Sequence, residues 1–124
     1  MIALEKRLKV AILLDGGFPL GRMPADVPKP LPEPGTQQRN PPRMLPEADE
    51  INFAPRVKIP VLMLNGRYDF IFPVDTSQVP MFRALGTPLK QHKILETPHN
   101  VFASGSDTIR IVLDWLDQYL GPVE

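Results

Sequence analysis

Ile59-Pro60-Val61-Leu62-Met63-Leu64-Asn65-Gly66-Arg67-Tyr68-Asp69 is the stretch on which the fold turns. Ile59 to Leu64 is an unbroken apolar run, shorter than an ordinary helix and closed by Asn65-Gly66. Such a run reads as a strand buried on both faces, the kind that parallel sheets contain. Pro60 stands at its start, where a missing backbone donor is tolerated. The strand delivers its chain into a polar loop ending at Asp69. In an open parallel sheet, ligands and catalytic groups gather at the carboxyl ends of the strands.

Working outward, Leu8 to Leu14 (LKVAILL) is a second apolar run, stopped by Asp15-Gly16-Gly17. It reads as another strand buried on both faces. Ile2 to Arg7 before it is either the tail of a helix or a disordered start. Glu50 to Val57 holds a short helical turn. Thr76 to Leu85 reads as a helix, with Asp75 or Thr76 as N-cap and Gly86 and Pro88 as its stop. Pro80 must then fall in the first turn or kink the helix. Gln91 to Leu95 is a third, more polar strand. Thr108 to Leu120 is the clearest helix, with Ile109, Val112, Leu113, Leu116 and Leu120 on one face and Gly121-Pro122 ending it. Trp115 and Tyr119, one turn apart, read as packing residues. Strands alternating with helices imply an α/β fold with about three mostly parallel strands.

Three polar clusters follow the three strands: Asp15-Gly16-Gly17, Asn65 to Asp69, and Thr97-Pro98-His99-Asn100. Neighbouring parallel strands lie about 5 Å apart, so Asp69 and His99 are expected close together. A carboxylate beside an imidazole fixes its tautomer and stabilises the imidazolium, which is what the acid does in a serine hydrolase. Asp15-Gly16-Gly17 is only loosely similar to a phosphate-binding turn, since no helix pattern follows it.

The run Ile59 to Asp69, followed by Phe72-Pro73, resembles the acid-bearing strand and loop of α/β-hydrolases. It is particularly similar to the dienelactone hydrolase and prolyl-oligopeptidase-like branch, including bacterial hydrolase domains fused to protein kinases. There a strand reading P-hydrophobic-hydrophobic-x-x-x-G-x-x-D carries the triad acid, which maps onto Asp69. About 30 residues on, a loop carries the triad histidine, which maps onto His99 within Glu96-Thr97-Pro98-His99-Asn100. Leu113 to Gly121 matches the last helix of that family, and Arg7 to Leu14 resembles the strand after the nucleophile helix. The resemblance covers nearly the whole chain and implies a partial α/β-hydrolase fold with a long Pro-rich loop. Its catalytic residues here are Asp69 and His99, remnants of a triad, with no cofactor and no metal.

The family places its serine in a G-x-S-x-G elbow ahead of the first strand seen here. This sequence has Ser77, Ser104 and Ser106, and none sits in such a motif. Ser104-Gly105-Ser106-Asp107 fits an S-x-x-D capping box that opens a helix, and capping is its expected role. Asp69 also has a plainer reading as an Asx-turn residue after Gly66. His92 reads as an exposed strand residue.

The bulk composition closes off other classes. Lysine plus arginine and aspartate plus glutamate both count 14, so nothing in the charge favours nucleic acid or an anionic membrane. No apolar run approaches the roughly 18 residues of a membrane span. The charged lead Glu5-Lys6-Arg7 and the absence of a cleavage site argue against a secretory signal. Without cysteine there is no disulfide framework, and a cytoplasmic location is the default. Nine of the 16 prolines lie between Pro19 and Pro46, so residues 19–50 are expected as an extended loop or linker within a single truncated domain spanning 1–124.

Removing the first half of a hydrolase sheet leaves Leu8–Leu14 as an open, apolar edge. Such edges pair with another chain unless covered, so a homodimer or higher oligomer through that strand is expected. Two functions stay open. One is the C-terminal fragment of an ester or acyl hydrolase, inactive as an isolated chain and taking a small-molecule ester when completed. The alternative is a non-catalytic oligomeric binding or interaction protein derived from a hydrolase. Met1, followed by a short lead to the first strand, favours a chain used as it stands.

Overall fold

The computed structural model describes residues 2–17 and 50–122. Three strands form one parallel sheet in the order β1 (Ala11–Leu14), β2 (Val61–Gly66), β3 (Lys90–Leu95). The registers pair Ala11 with Val61 and Val61 with Lys90, so residues in register share a face. Between β1 and β2 lies α1 (Glu50–Phe53), which runs on as a 3-10 turn over Ala54–Arg56. A π-helical turn (Val74–Gln78) and α2 (Val79–Ala84) connect β2 to β3. After β3, a 3-10 turn (Val101–Ser104) leads into α3 (Ser106–Leu120).

Strand β2 is the centre of the molecule. All six of its residues are buried, and Val61, Leu62, Met63 and Leu64 have no exposed surface. Each such side chain contributes about 2 kcal/mol relative to the same group left in water. Val61 and Met63 pack with Ala54, Val57, Met81 and Leu85 on one face. On the other face, Gln91 and Lys93 of β3 line a small pocket together with Ile111, Asp114, Trp115 and Gln118 of α3. Helices therefore flank both sides, as alternating strands and helices imply. Lys90 locks the end of α2, its ammonium donating to the carbonyls of Phe82 at 2.9 Å and Leu85 at 2.7 Å. A cation there complements the negative end of the helix dipole.

Several sequence expectations change in detail. The first strand covers Ala11–Leu14 rather than Leu8–Leu14, and it is half-buried, with Leu14 exposed. Among the described residues β1 has one neighbour, β2, as the expected open edge requires, but its faces are only partly covered rather than buried on both sides. The second strand begins at Val61 and extends through Gly66, because its ladder starts after Pro60, whose carbonyl serves Ala11. Ile2 to Arg7 is neither a helix tail nor a featureless start. It forms turns, and Ile2 and Ala3 pack on the core. The helix expected over Thr76–Leu85 divides into the π turn and α2, and Pro80 falls in the first turn of α2. The capping box does not form. Gly105 is the N-cap of α3, with φ 54°, and no side chain caps it.

In α3 the inward face is Thr108, Ile111, Val112, Trp115, Leu116 and Tyr119. The Trp115 and Tyr119 rings meet in a tilted arrangement, 4.7 Å between centroids and 57° between planes. Ile109, Leu113 and Leu120 from the expected apolar face are more than half exposed. The Pro-rich segment expected over 19–50 lies outside the described residues, apart from Glu50 at the start of α1. No helix among the described residues is long and apolar enough to cross a membrane.

Candidate active site

The carboxyl ends of β1, β2 and β3 converge on Asp69 and His99. Asp69 follows β2 after two residues, and its side chain is wholly buried. Its Oδ1 accepts the backbone N–H groups of Ile71 (2.8 Å) and Phe72 (2.9 Å), which folds the loop back as an Asx turn. Its Oδ2 lies 2.9 Å from Nδ1 of His99. The plain turn role and the pairing role are therefore both present, one on each oxygen. An ionised carboxylate only accepts, so Nδ1 carries the hydrogen and Nε2 is left with its lone pair. The His99 side chain is 36% exposed, and the Phe72 ring packs 5.6 Å from the imidazole between centroids.

Gly66 makes this approach possible. A β-carbon built on it would lie 1.8 Å from the Pro98 carbonyl oxygen and 2.5 Å from that of Thr97. The end of β2 and the histidine loop therefore touch backbone to backbone. Tyr68 N–H donates to the Thr97 carbonyl at 3.0 Å, and Arg67 N–H to that of Leu95 at 2.8 Å. On the solvent side Glu96 clasps the same two loops, accepting from the Tyr68 hydroxyl at 2.7 Å and from Nε of Arg67. These contacts hold the Glu96 carboxyl below the ordinary carboxylate range, chiefly through Tyr68 and then Arg67.

A second polar chain supports the site from beneath. Asn65, fully buried, donates from Nδ2 to the Gly16 carbonyl at 2.7 Å and accepts at Oδ1 from Nε2 of His92 at 3.1 Å. His92 is thus not the exposed strand residue expected. It is half-buried against Phe82, and burial lowers its pKa below the ordinary histidine value. A period-2 strand pattern gives no sign that α2 covers this end of β3. Asp15 enters the site from β1, its Oδ1 accepting the N–H of Val101 at 3.1 Å. The sequence marks Asp15 as a strand-end acid but contains no signal for its partner 86 positions away.

Ser77 is fully buried, Ser104 closes the 3-10 turn and Ser106 opens α3. None of the three hydrogen-bonds His99. Among the described residues no cluster of histidine, aspartate and glutamate is arranged to hold a metal ion.

No family model and no curated protein matches this sequence. Solved structures do match. A cold-adapted esterase from an Arctic intertidal metagenomic library aligns over 96% of this chain at 24% identity, with a TM-score of 0.59. A monoacylglycerol lipase from Paleococcus ferrophilus aligns over 55% of this chain at 28% identity, with a TM-score of 0.50.

The chain carries part of an α/β-hydrolase fold.

It spans 42% of the esterase's length and 28% of the lipase's. Within this α/β-hydrolase sheet, Asp69 and His99 occupy the ends of adjacent parallel strands, β2 and the strand next to it, β3. The pair can hold one tautomer, leave Nε2 free to take a proton, and stabilise the imidazolium that results.

Proposed function

We propose that this chain is the acid-and-histidine portion of an ester or acyl hydrolase of the dienelactone hydrolase and prolyl-oligopeptidase-like branch. The observation that carries the proposal is the 2.9 Å contact between His99 Nδ1 and a fully buried Asp69. Burial in a dry, hydrogen-bonded setting makes that carboxylate an effective partner for a developing imidazolium. In this scheme a serine hydroxyl from outside residues 1–124, or from another chain, attacks the acyl carbon. His99 Nε2 takes the hydroxyl proton as the new C–O bond forms, then returns it to the leaving alcohol as the old bond breaks. Asp69 stays ionised throughout. Water repeats the cycle to release the acid and regenerate the serine.

On this account the 124 residues alone are inactive. Ser77 is sealed in the core, and neither Ser104 nor Ser106 meets His99. The branch assignment is supported by the Pro60 to Asp69 pattern together with the glycine at position 66.

The test uses a fluorophosphonate probe and short-chain nitrophenyl esters. The chain alone is expected to be silent with both. Expressed with the coding sequence upstream of it, it is expected to label at a G-x-S-x-G serine and to turn over ester. His99→Ala is then expected to lower turnover by about a thousandfold. Labelling of the chain alone, or a longer product indifferent to His99→Ala, would overturn the proposal.

A further inference from the structure

We propose that Asp15 is a positioning residue for His99, anchoring the far end of the histidine loop through the backbone of Val101. This inference rests on the reading of Asp69 and His99 as an acid–base pair. The loop from Thr97 to Val101 is held at two places, with His99 between them. Its near end is fixed by the close approach of Gly66 and by Tyr68 N–H on the Thr97 carbonyl. Its far end is fixed at Val101, a fully buried residue held through both its backbone N–H and its backbone carbonyl. Asp15 Oδ1 accepts the Val101 N–H at 3.1 Å, and Thr108 Oγ1 donates to the Val101 carbonyl at 2.5 Å.

This differs from an ordinary turn aspartate. An Asx turn at this position would direct the carboxylate to an N–H two residues on. Asp15 instead serves a residue 86 positions away, beyond β3, while its own N–H makes the last contact of the β1–β2 ladder with the Leu64 carbonyl at 3.1 Å. The main chain is thus held by the sheet and the side chain by the histidine loop. Asp15 has φ 51°, and it is the one non-glycine residue with positive φ among those described. Aspartate is one of the few side-chain types besides glycine that adopts this conformation, so the turn and an acid facing the histidine loop can coexist at this position.

The electrostatics agree. Burial pushes the Asp15 carboxyl up; the Val101 N–H and then the nearby His99 pull it back, and Asp69 adds to the rise. Asp15 therefore sits within electrostatic reach of both members of the pair.

The test compares Asp15→Gly with Asp15→Asn in this chain. Glycine accepts φ 51° without strain and removes the anchor, whereas asparagine tolerates the same backbone and keeps an Oδ1 acceptor. Amide hydrogen exchange reads the anchor, and a long-range proton–nitrogen spectrum of the imidazole reads the His99 tautomer. Asp15→Gly is expected to keep protection in β2, to speed exchange at Val101 about tenfold, and to move His99 from its Nδ1–H form toward a mixture. Asp15→Asn is expected to retain both signals.

A glycine variant with an intact sheet and unchanged Val101 and His99 signals would overturn the proposal. If the glycine variant does not fold, the asparagine variant decides: retention of both signals supports the anchor, and their loss overturns it. Neither readout needs a nucleophile or a substrate. A chain that fails the hydrolase test therefore gives a separate result from one that fails this test.

Discussion

The Pro98 carbonyl oxygen lies 1.8 Å from where a β-carbon of Gly66 would stand. The two residues belong to neighbouring strand ends, and their contact sets how near the acid loop comes to the histidine loop. A single methyl group at position 66 must push backbone, which yields far less readily than the tip of a side chain. Gly66→Ala is expected to cost about 3 kcal/mol in urea unfolding and to break the Asp69–His99 bond in whatever folds. Unchanged stability together with an unchanged His99 tautomer would show that the pair does not depend on this close approach.

The two oxygens of Asp69 make different contacts, so two substitutions should part company. Asp69→Asn keeps an acceptor for the Ile71 and Phe72 N–H groups and is expected to cost under about 1 kcal/mol. Its amide nitrogen, however, faces Nδ1 of His99, which must then accept, and the proton moves to Nε2. Asp69→Ala strands both backbone donors and is expected to cost about 2 kcal/mol. Imidazole nitrogen shifts and denaturation midpoints, measured on both variants, check the contrast.

His92 makes stability depend on pH in a defined direction. Burial lowers its folded-state pKa, so just below the ordinary histidine pKa the unfolded chain binds more protons than the folded one. Its contribution is therefore fully present above the unfolded value and is lost as pH falls toward the folded one. His92→Gln keeps a donor near Asn65 Oδ1 without titrating. The difference in unfolding free energy between wild type and His92→Gln should move against the wild type as pH drops from about 7 to about 5. A difference that stays flat across that window would mean the imidazole is not shielded from water.

Among the described residues, β1 offers one unpaired edge and an exposed Leu14. We propose that a second copy of the chain pairs there, as open apolar edges tend to do. Light scattering at tens of micromolar is expected to give a dimer or larger species, and Leu14→Lys to shift it toward monomer. A stable wild-type monomer would sink the proposal.

The sequence by itself determined the strand–helix order, the buried second strand and the two residues of the pair. Val61 to Leu64 are apolar without interruption and are buried on both faces, whereas the equally apolar Ala11 to Leu14 is only half-buried. The pattern marks a strand, and its position in the sheet decides how far it is covered. Asp69 and His99 were legible because strand ends collect in one place once the sheet is parallel, and because Ile59–Asp69 and Glu96–Asn100 resemble the acid and histidine loops of α/β-hydrolases. Tertiary structure alone decided which polar groups meet. Nothing local to Asp15 points to Val101, nothing in an alternating strand puts His92 under Phe82, and nothing in the Ser104 to Asp107 pattern shows Gly105 taking the cap. The same limit applies to α3, where the sequence marks an apolar stripe but packing turned Trp115 and Ile111 inward and left Ile109 and Leu113 in water. Local pattern reports what a segment tends to bury. Which surface covers it, and which donor finds which acceptor, depends on contacts between residues far apart in the chain.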